Sequence, residues 1–211
     1  MLSVALSAFA LALTGLLPVL NPLGSSLIAR SLTPHLDDAA RASLARAVAR
    51  NCFAVLVVSV LVGSYLLAFF GISQAILRVG GGCVVGYAGW RLLHAPDVEE
   101  APAMPPGNAQ ASAFYPITLP ITVGPGSISV AIALNAEVVK RDLFAHFLGV
   151  GIAFGLLAFI IYLCMRYVCK VRQYIGDSGA HIADRLFAFI LLCIGLQICW
   201  RGLVELGVLT A

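Results

Sequence analysis

The sequence predicts an all-α polytopic membrane protein: six transmembrane helices arranged as a 3+3 inverted repeat, with helices 1 and 4 discontinuous. Three observations carry that prediction. Of the 211 residues, 61% are hydrophobic and 11% charged, against about 45–50% and 25% in soluble domains. The apolar residues fall into runs long enough to cross a bilayer, which takes about 20 residues of helix. Two of those runs are interrupted at matching places, Leu17 to Ser25 and Leu119 to Ser127, by clusters of proline and glycine. Proline removes a backbone donor and clashes with the preceding turn, so a helix opens at Pro18 and Pro22, and again at Pro120 and Pro125.

The first run, about Leu2 to Leu32, is too long for one straight crossing at about 1.5 Å per residue and reads as a two-part helix. No Lys or Arg precedes Arg30. The basic segment of a cleaved leader is therefore missing, and the start reads as part of the span. Thr33 to Asn51 carries Arg41, Arg46 and Arg50 with Asp37 and Asp38, and reads as a water-facing helical loop capped by Thr33, with Pro34 at the first helical position. The second span, about Ala47 to Phe70, meets the third, about Ser73 to His94, at a turn on Gly71. Gly82 and Gly86 in the third span let helix backbones approach closely, either within the chain or in a homo-oligomer. Ala95 to Ala113 holds four prolines and three acidic residues and reads as a linker, dividing the chain into repeats at 1–95 and 113–211 with 96–112 between. The fourth span, about Ala113 to Asn135, carries the second break. Glu137 to Asp142 then leads to the fifth, about Leu143 to Tyr167. A polar loop with Lys170, Arg172 and Asp177 precedes the sixth, about Ile182 to Val204.

The repeat rests on order. The two breaks lie 102 to 103 residues apart, and Trp90-Arg91 and Trp200-Arg201 stand 110 apart near the ends of spans three and six. Three spans per copy is an odd number, so the second copy enters from the opposite side. The loops after spans one, three and five hold nine Lys/Arg against four on the other side, which places both termini outside.

Opened backbone inside a membrane persists only where protein buries it or where it lines a wet cavity, so both breaks face inward. Where they meet, the second half-helices offer amides at Leu23, Gly24, Ser25, Gly126 and Ser127, a positive end suited to a carboxylate. The first half-helices end in carbonyls around Leu17, Val19, Leu119 and Ile121, suited to an ammonium. A zwitterion fits both. Gly24 and Gly126 allow close approach, and Ser25, Ser26, Thr122, Ser127 and Ser129 supply hydroxyls. The alternative is a pair of proline kinks whose serines bond back to their own helices.

No Asp or Glu lies deep in a span, and the histidines stand at the edges. That disfavours a proton relay or a site for cationic drugs, leaving uncoupled transport, exchange, or Na⁺ coupling through carbonyls. No Ser-His-Asp or HExxH arrangement points to an enzyme. The six cysteines lack metal or disulfide spacing, so no cofactor is expected. A net charge of +3, scattered along the chain, implies no nucleic-acid partner.

Pro18-Val-Leu-Asn-Pro-Leu-Gly24 and Pro120-Ile-Thr-Val-Gly-Pro-Gly126 resemble the paired motifs of the MarC family of bacterial inner-membrane proteins, and the resemblance covers essentially the whole chain. The family takes its name from a multiple-antibiotic-resistance locus, which is weak evidence for drug efflux. Relatives of the SnatA type are associated with transport of small neutral amino acids, such as glycine and alanine, between discontinuous first and fourth helices. The resemblance thus implies substrate contacts at Asn21, Pro22, Gly24, Gly124, Pro125 and Gly126. The expectation is alternating-access transport of such an amino acid; export of another small metabolite or drug, or a non-transporting membrane scaffold, are the alternatives.

Overall fold

The computed structural model describes residues 1–94, 112–134 and 142–209. Nearly all of the expected linker, together with Asn135, Glu137, Lys140 and Arg141, lies outside the described residues. The elements are α1 (Leu2–Leu20), α2 (Pro22–Leu32), α3 (Asp38–Phe69), α4 (Gln74–Leu93), α5 (Ala113–Thr122), α6 (Pro125–Leu134) and α7 (Leu143–Glu205). Among the described residues there is no strand. Four segments are long and apolar enough to cross a membrane: Leu2–Leu32, Asp38–Gly63, Leu143–Val168 and Ala188–Glu205. A fifth is α5 with α6, taken together across a 70° bend. The expected third span, α4, falls short on apolarity, because five of its 20 residues are glycine and Arg78 and Arg91 sit near its ends.

The start of α3 corrects one expectation. Asp37, not Thr33, is the cap: its carboxylate accepts the Ala40 amide at 2.7 Å. Thr33 instead closes α2, its buried hydroxyl donating to the Ala29 carbonyl at 2.7 Å. Nor does Arg41 face water. It is 5% exposed and donates to the Leu36 carbonyl at 3.3 Å, tying the α2–α3 connection to the helix that follows. At the other end of α3, Gly71 (φ 66°) carries the expected turn. The Ile72 amide reaches the Leu67 carbonyl at 2.9 Å and Gly71 reaches Ala68 at 3.2 Å, the paired bonds of a glycine-terminated helix. Gly207 (φ 72°) ends α7 in the same way, through Val208 to Leu203 and Gly207 to Val204.

The polar stretch expected as a loop after the fifth span has helical backbone, making α7 63 residues long. It cannot be straight. Gly149 packs on Ala5 of α1, Gly126 packs between Val19 of α1 and Val85 of α4, and Gly195 packs on Gly86 of α4. That path limits Gly149 and Gly195 to about 50 Å apart, whereas straight helix would separate them by about 69 Å. α7 therefore bends between its two apolar stretches, which correspond to the expected fifth and sixth spans.

The second stretch of α7 runs antiparallel to α4. Gly202 lies against Ala75 and Val79, Gly82 against Gly195 and Cys199, and Gly89 against Ala188 and Leu192. Arg78 pairs with Glu205 at 3.0 Å at one end, and Arg185 donates to the Leu93 carbonyl at the other. A side-chain carbon on Gly82 would stand 2.6 Å from the Cys199 amide nitrogen. Gly82, Gly86 and Gly89 of α4 thus form a seam inside the chain. α6 lies antiparallel to α1, with Val130 by Gly15 and Gly126 by Val19, and its Ile132 fills the space over Gly63 of α3. Leu16, Leu20, Leu56, Ile117, Phe154, Leu157 and Ile161 form the fully buried centre.

Candidate substrate site at the paired helix breaks

The first break turns on one residue. Asn21 has φ 40° and ψ 67° and is the non-glycine residue at positive φ among those described. Asparagine tolerates the left-handed region because its short side chain can bond locally. Here it closes both helices at once. Its amide donates to the Leu17 carbonyl at 3.2 Å, ending α1; its carbonyl accepts the Ser25 amide at 2.9 Å; and its Oδ1 accepts the Gly24 amide at 3.2 Å, starting α2. Pro22 follows at the first helical position, where no donor is needed. A side-chain carbon on Gly24 would come 3.0 Å from Asn21 Cγ, so the glycine makes room for the capping side chain.

The second break is spread over a segment. In α5, Tyr115 (φ −123°, ψ 126°) and Leu119 (φ −114°, ψ 125°) are extended, and the peptide bonds before Pro116 and Pro120 are cis. The turns are wide, closed over five residues. Thr118 Oγ1 donates to the Ala113 carbonyl at 2.6 Å, Thr122 Oγ1 to Ile117 at 2.7 Å, and the Val123 amide to Thr118 at 2.8 Å. The two threonines are fully buried, and their hydroxyls are satisfied inside the segment by carbonyls one wide turn back. Val123 and Gly124 then make the bend into α6. No residue here takes a positive φ.

The breaks are brought together through Gly126, whose added Cβ would stand against Val85 Cγ2 and 3.7 Å from Val19 Cγ1. Of the expected site residues, Pro22, Ser25, Thr122, Gly126 and Ser127 are buried, Leu17, Asn21, Leu23, Gly24, Leu119 and Gly124 half-buried, and Pro125 exposed. Five amides were expected to be open. Those of Gly24 and Ser25 are taken by Asn21, while those of Leu23, Gly126 and Ser127 have no backbone acceptor among the described residues. The Ser25, Ser26 and Ser129 hydroxyls donate to the carbonyls of Pro22, Leu23 and Pro125. Among the described residues no group of three potential metal ligands forms. His146, expected at a span edge, is 8% exposed in the first turn of α7.

Two contributors escaped the sequence reading. The self-capping of Asn21 was legible in principle, since Asn-Pro followed by glycine three residues on is a helix-start signal. Val85 was not, because it arrives from α4 by tertiary packing alone.

Comparison with known proteins agrees with this architecture. The profile of MarC family integral membrane proteins matches residues 6–206. The inner membrane proteins MarC of Escherichia coli and Shigella flexneri are each 29% identical to the chain over 213 residues, covering 94% of it and 95% of the relative. The Shigella boydii protein of the same name matches to the same extent. No solved structure matches the chain. With paired helix breaks, an apolar helical body and a family profile running almost end to end, the chain belongs to the MarC family of integral membrane proteins.

Proposed function

We propose that this protein sits in the bacterial inner membrane, both termini outside, and moves small neutral amino acids such as glycine or alanine by alternating access between two inverted three-helix halves. The observation that carries the reading is the convergence of the two breaks on Gly126, with the amides of Leu23, Gly126 and Ser127 not engaged by backbone. Those donors suit a carboxylate. The carbonyls of Val19 and Leu119, on the outgoing sides of the breaks, suit the ammonium. Leu17, Asn21, Pro22, Gly24 and Ser25 shape the first wall, and Thr122, Gly124 and Pro125 the second. Antiparallel packing of α1 on α6, and of α4 on the second stretch of α7, is the relation that inverted halves require. Among the described residues no charged side chain stands at the breaks, which favours a substrate of zero net charge.

The test is uptake of labelled glycine and alanine into liposomes holding the purified protein, beside Gly24→Val and Gly126→Val variants shown to remain folded and monodisperse in detergent. Saturable uptake lost in both variants is expected. No uptake, with or without ion gradients or preloaded substrate, removes the amino-acid assignment.

A scaffold reading has its own observation, the serine hydroxyls that bond back to their own helices. A cysteine at Ser127, in a background without the native cysteines, separates the two. A transporter exposes it to a water-soluble thiol reagent during its cycle; a scaffold keeps it dry.

A further inference from the structure

Away from the breaks, α3 and the first stretch of α7 form a shallow, open groove of about 340 Å³ lined by Arg46, Ala49, Arg50, Phe53, Ala158, Phe159 and Tyr162. We infer that this groove binds an anionic phospholipid, its phosphate held by Arg46 and Arg50 and an acyl chain lying along Phe53 and Phe159.

Two independent features point to that ligand. The first is charge. Arg46 and Arg50 are one turn apart on α3, both exposed, with no ion pair or hydrogen bond among the described residues and no acidic side chain in the lining. Like charges at this spacing repel, and a bound anion removes the repulsion. By contrast, Arg41 on the same helix is buried against carbonyls, and Arg166 opposite donates to the Asp38 carbonyl at 2.6 Å. The second feature is the apolar wall. Phe53 is 38% and Phe159 56% exposed, on the face that carries the arginines and next to the long apolar stretches of α3 and α7. A soluble phosphate would leave those rings uncovered, whereas a phospholipid answers both halves of the groove. After Arg50 no charged residue follows in α3, and arginine side chains can reach along a helix from the start of such an apolar run to headgroup depth.

The experiment is native mass spectrometry of the purified full chain titrated with phosphatidylglycerol or phosphatidylcholine. Each arginine contact at an anionic surface is worth about fivefold in affinity, so the preference for phosphatidylglycerol is expected to fall roughly twenty-five-fold in Arg46→Gln/Arg50→Gln. Arg91→Gln/Arg201→Gln, which changes net charge equally, is expected to leave it intact. Ala158→Trp, filling the groove without touching charge, is expected to lower retention of both lipids. Equal binding of the two lipids by the native chain overturns the inference, as does an Arg46/Arg50 variant that keeps the preference. Displacement of the lipid by millimolar inorganic phosphate, indicating that acyl contacts contribute nothing, overturns it as well.

Discussion

At the first break the chain turns within a single residue, Asn21; at the second it turns over ten, from Ala113 to Thr122, with two threonine hydroxyls bonded to carbonyls five residues back. The sequence motifs are alike, proline flanked by glycine in an apolar run, yet the physical solutions differ. One residue that tolerates φ 40° satisfies the amide at 24 with its side chain and the amide at 25 with its backbone carbonyl. The second break lacks such a residue and leaves the amides at 126 and 127 without backbone partners. A pair of breaks need not be two equal halves of a site. Here the first break closes two of its leading amides on Asn21 and leaves that of Leu23, whereas the second leaves both of its own without a backbone acceptor among the described residues.

The sharpest way to break this comparison is at Asn21. Replacing it with alanine removes a cap worth about 1 kcal/mol and leaves a side chain with no local bonding to offset the left-handed strain of about 1–2 kcal/mol. A loss of about 2–3 kcal/mol is expected in reversible thermal or denaturant unfolding in detergent. Asn21→Gly restores the backbone freedom and is expected to lose only a few tenths, with Asn21→Asp closer still to native. If glycine proves as harmful as alanine, the left-handed conformation is not what the break depends on.

Gly126 sharpens the other side. A methyl there meets Val85 Cγ2, with Val19 Cγ1 at 3.7 Å, while a methyl on Gly124 meets the Pro120 carbonyl oxygen at 3.3 Å. Gly126→Ala is expected to cost about 1–2 kcal/mol through overpacking, and Gly124→Ala less than about 1 kcal/mol. Because Val19 and Val85 come from different helices, a Val85→Ala change is expected to restore part of the loss in Gly126→Ala. A double-mutant cycle showing strict additivity would mean that the valine is not the obstacle.

How much of this was legible in the sequence depends on how local each feature is. The apolar spans, both breaks and the turn at Gly71 could be read because proline, glycine and run length act within a few residues. Asp37 displaced Thr33 as the cap of α3 because the Thr33 hydroxyl is already engaged by Ala29, and nothing in the residue types told the two apart. Arg41 looked water-facing by charge alone, yet it folds onto carbonyls of its own connection. The glycines of α4 announced close approach without naming a partner. That partner, Gly195 and its neighbours, lies more than a hundred residues away. At the breaks the opening of the backbone was legible from proline and glycine, but the engagement of the Gly24 amide by the Asn21 side chain was not. It required knowing that Asn21 turns its side chain back over the break.

The smallest expected effects lie in the serines, and they decide whether the breaks differ in use as well as in shape. The Ser25 hydroxyl donates to the Pro22 carbonyl at 3.2 Å inside its own helix, a local bond that competes with helix geometry and adds little to stability. Ser25→Ala is expected to change unfolding by less than about 1 kcal/mol and to leave half-saturation for glycine uptake unaltered. Ser127 is 1% exposed beside two amides without backbone partners. Its alanine variant is expected to fold as well as native while raising half-saturation by roughly tenfold or more, the loss of one hydrogen bond to a charged group. Both breaks contribute equally if the two variants weaken uptake alike. If neither does, binding at the second break rests on backbone alone, and substitution of Gly126 becomes the decisive lesion.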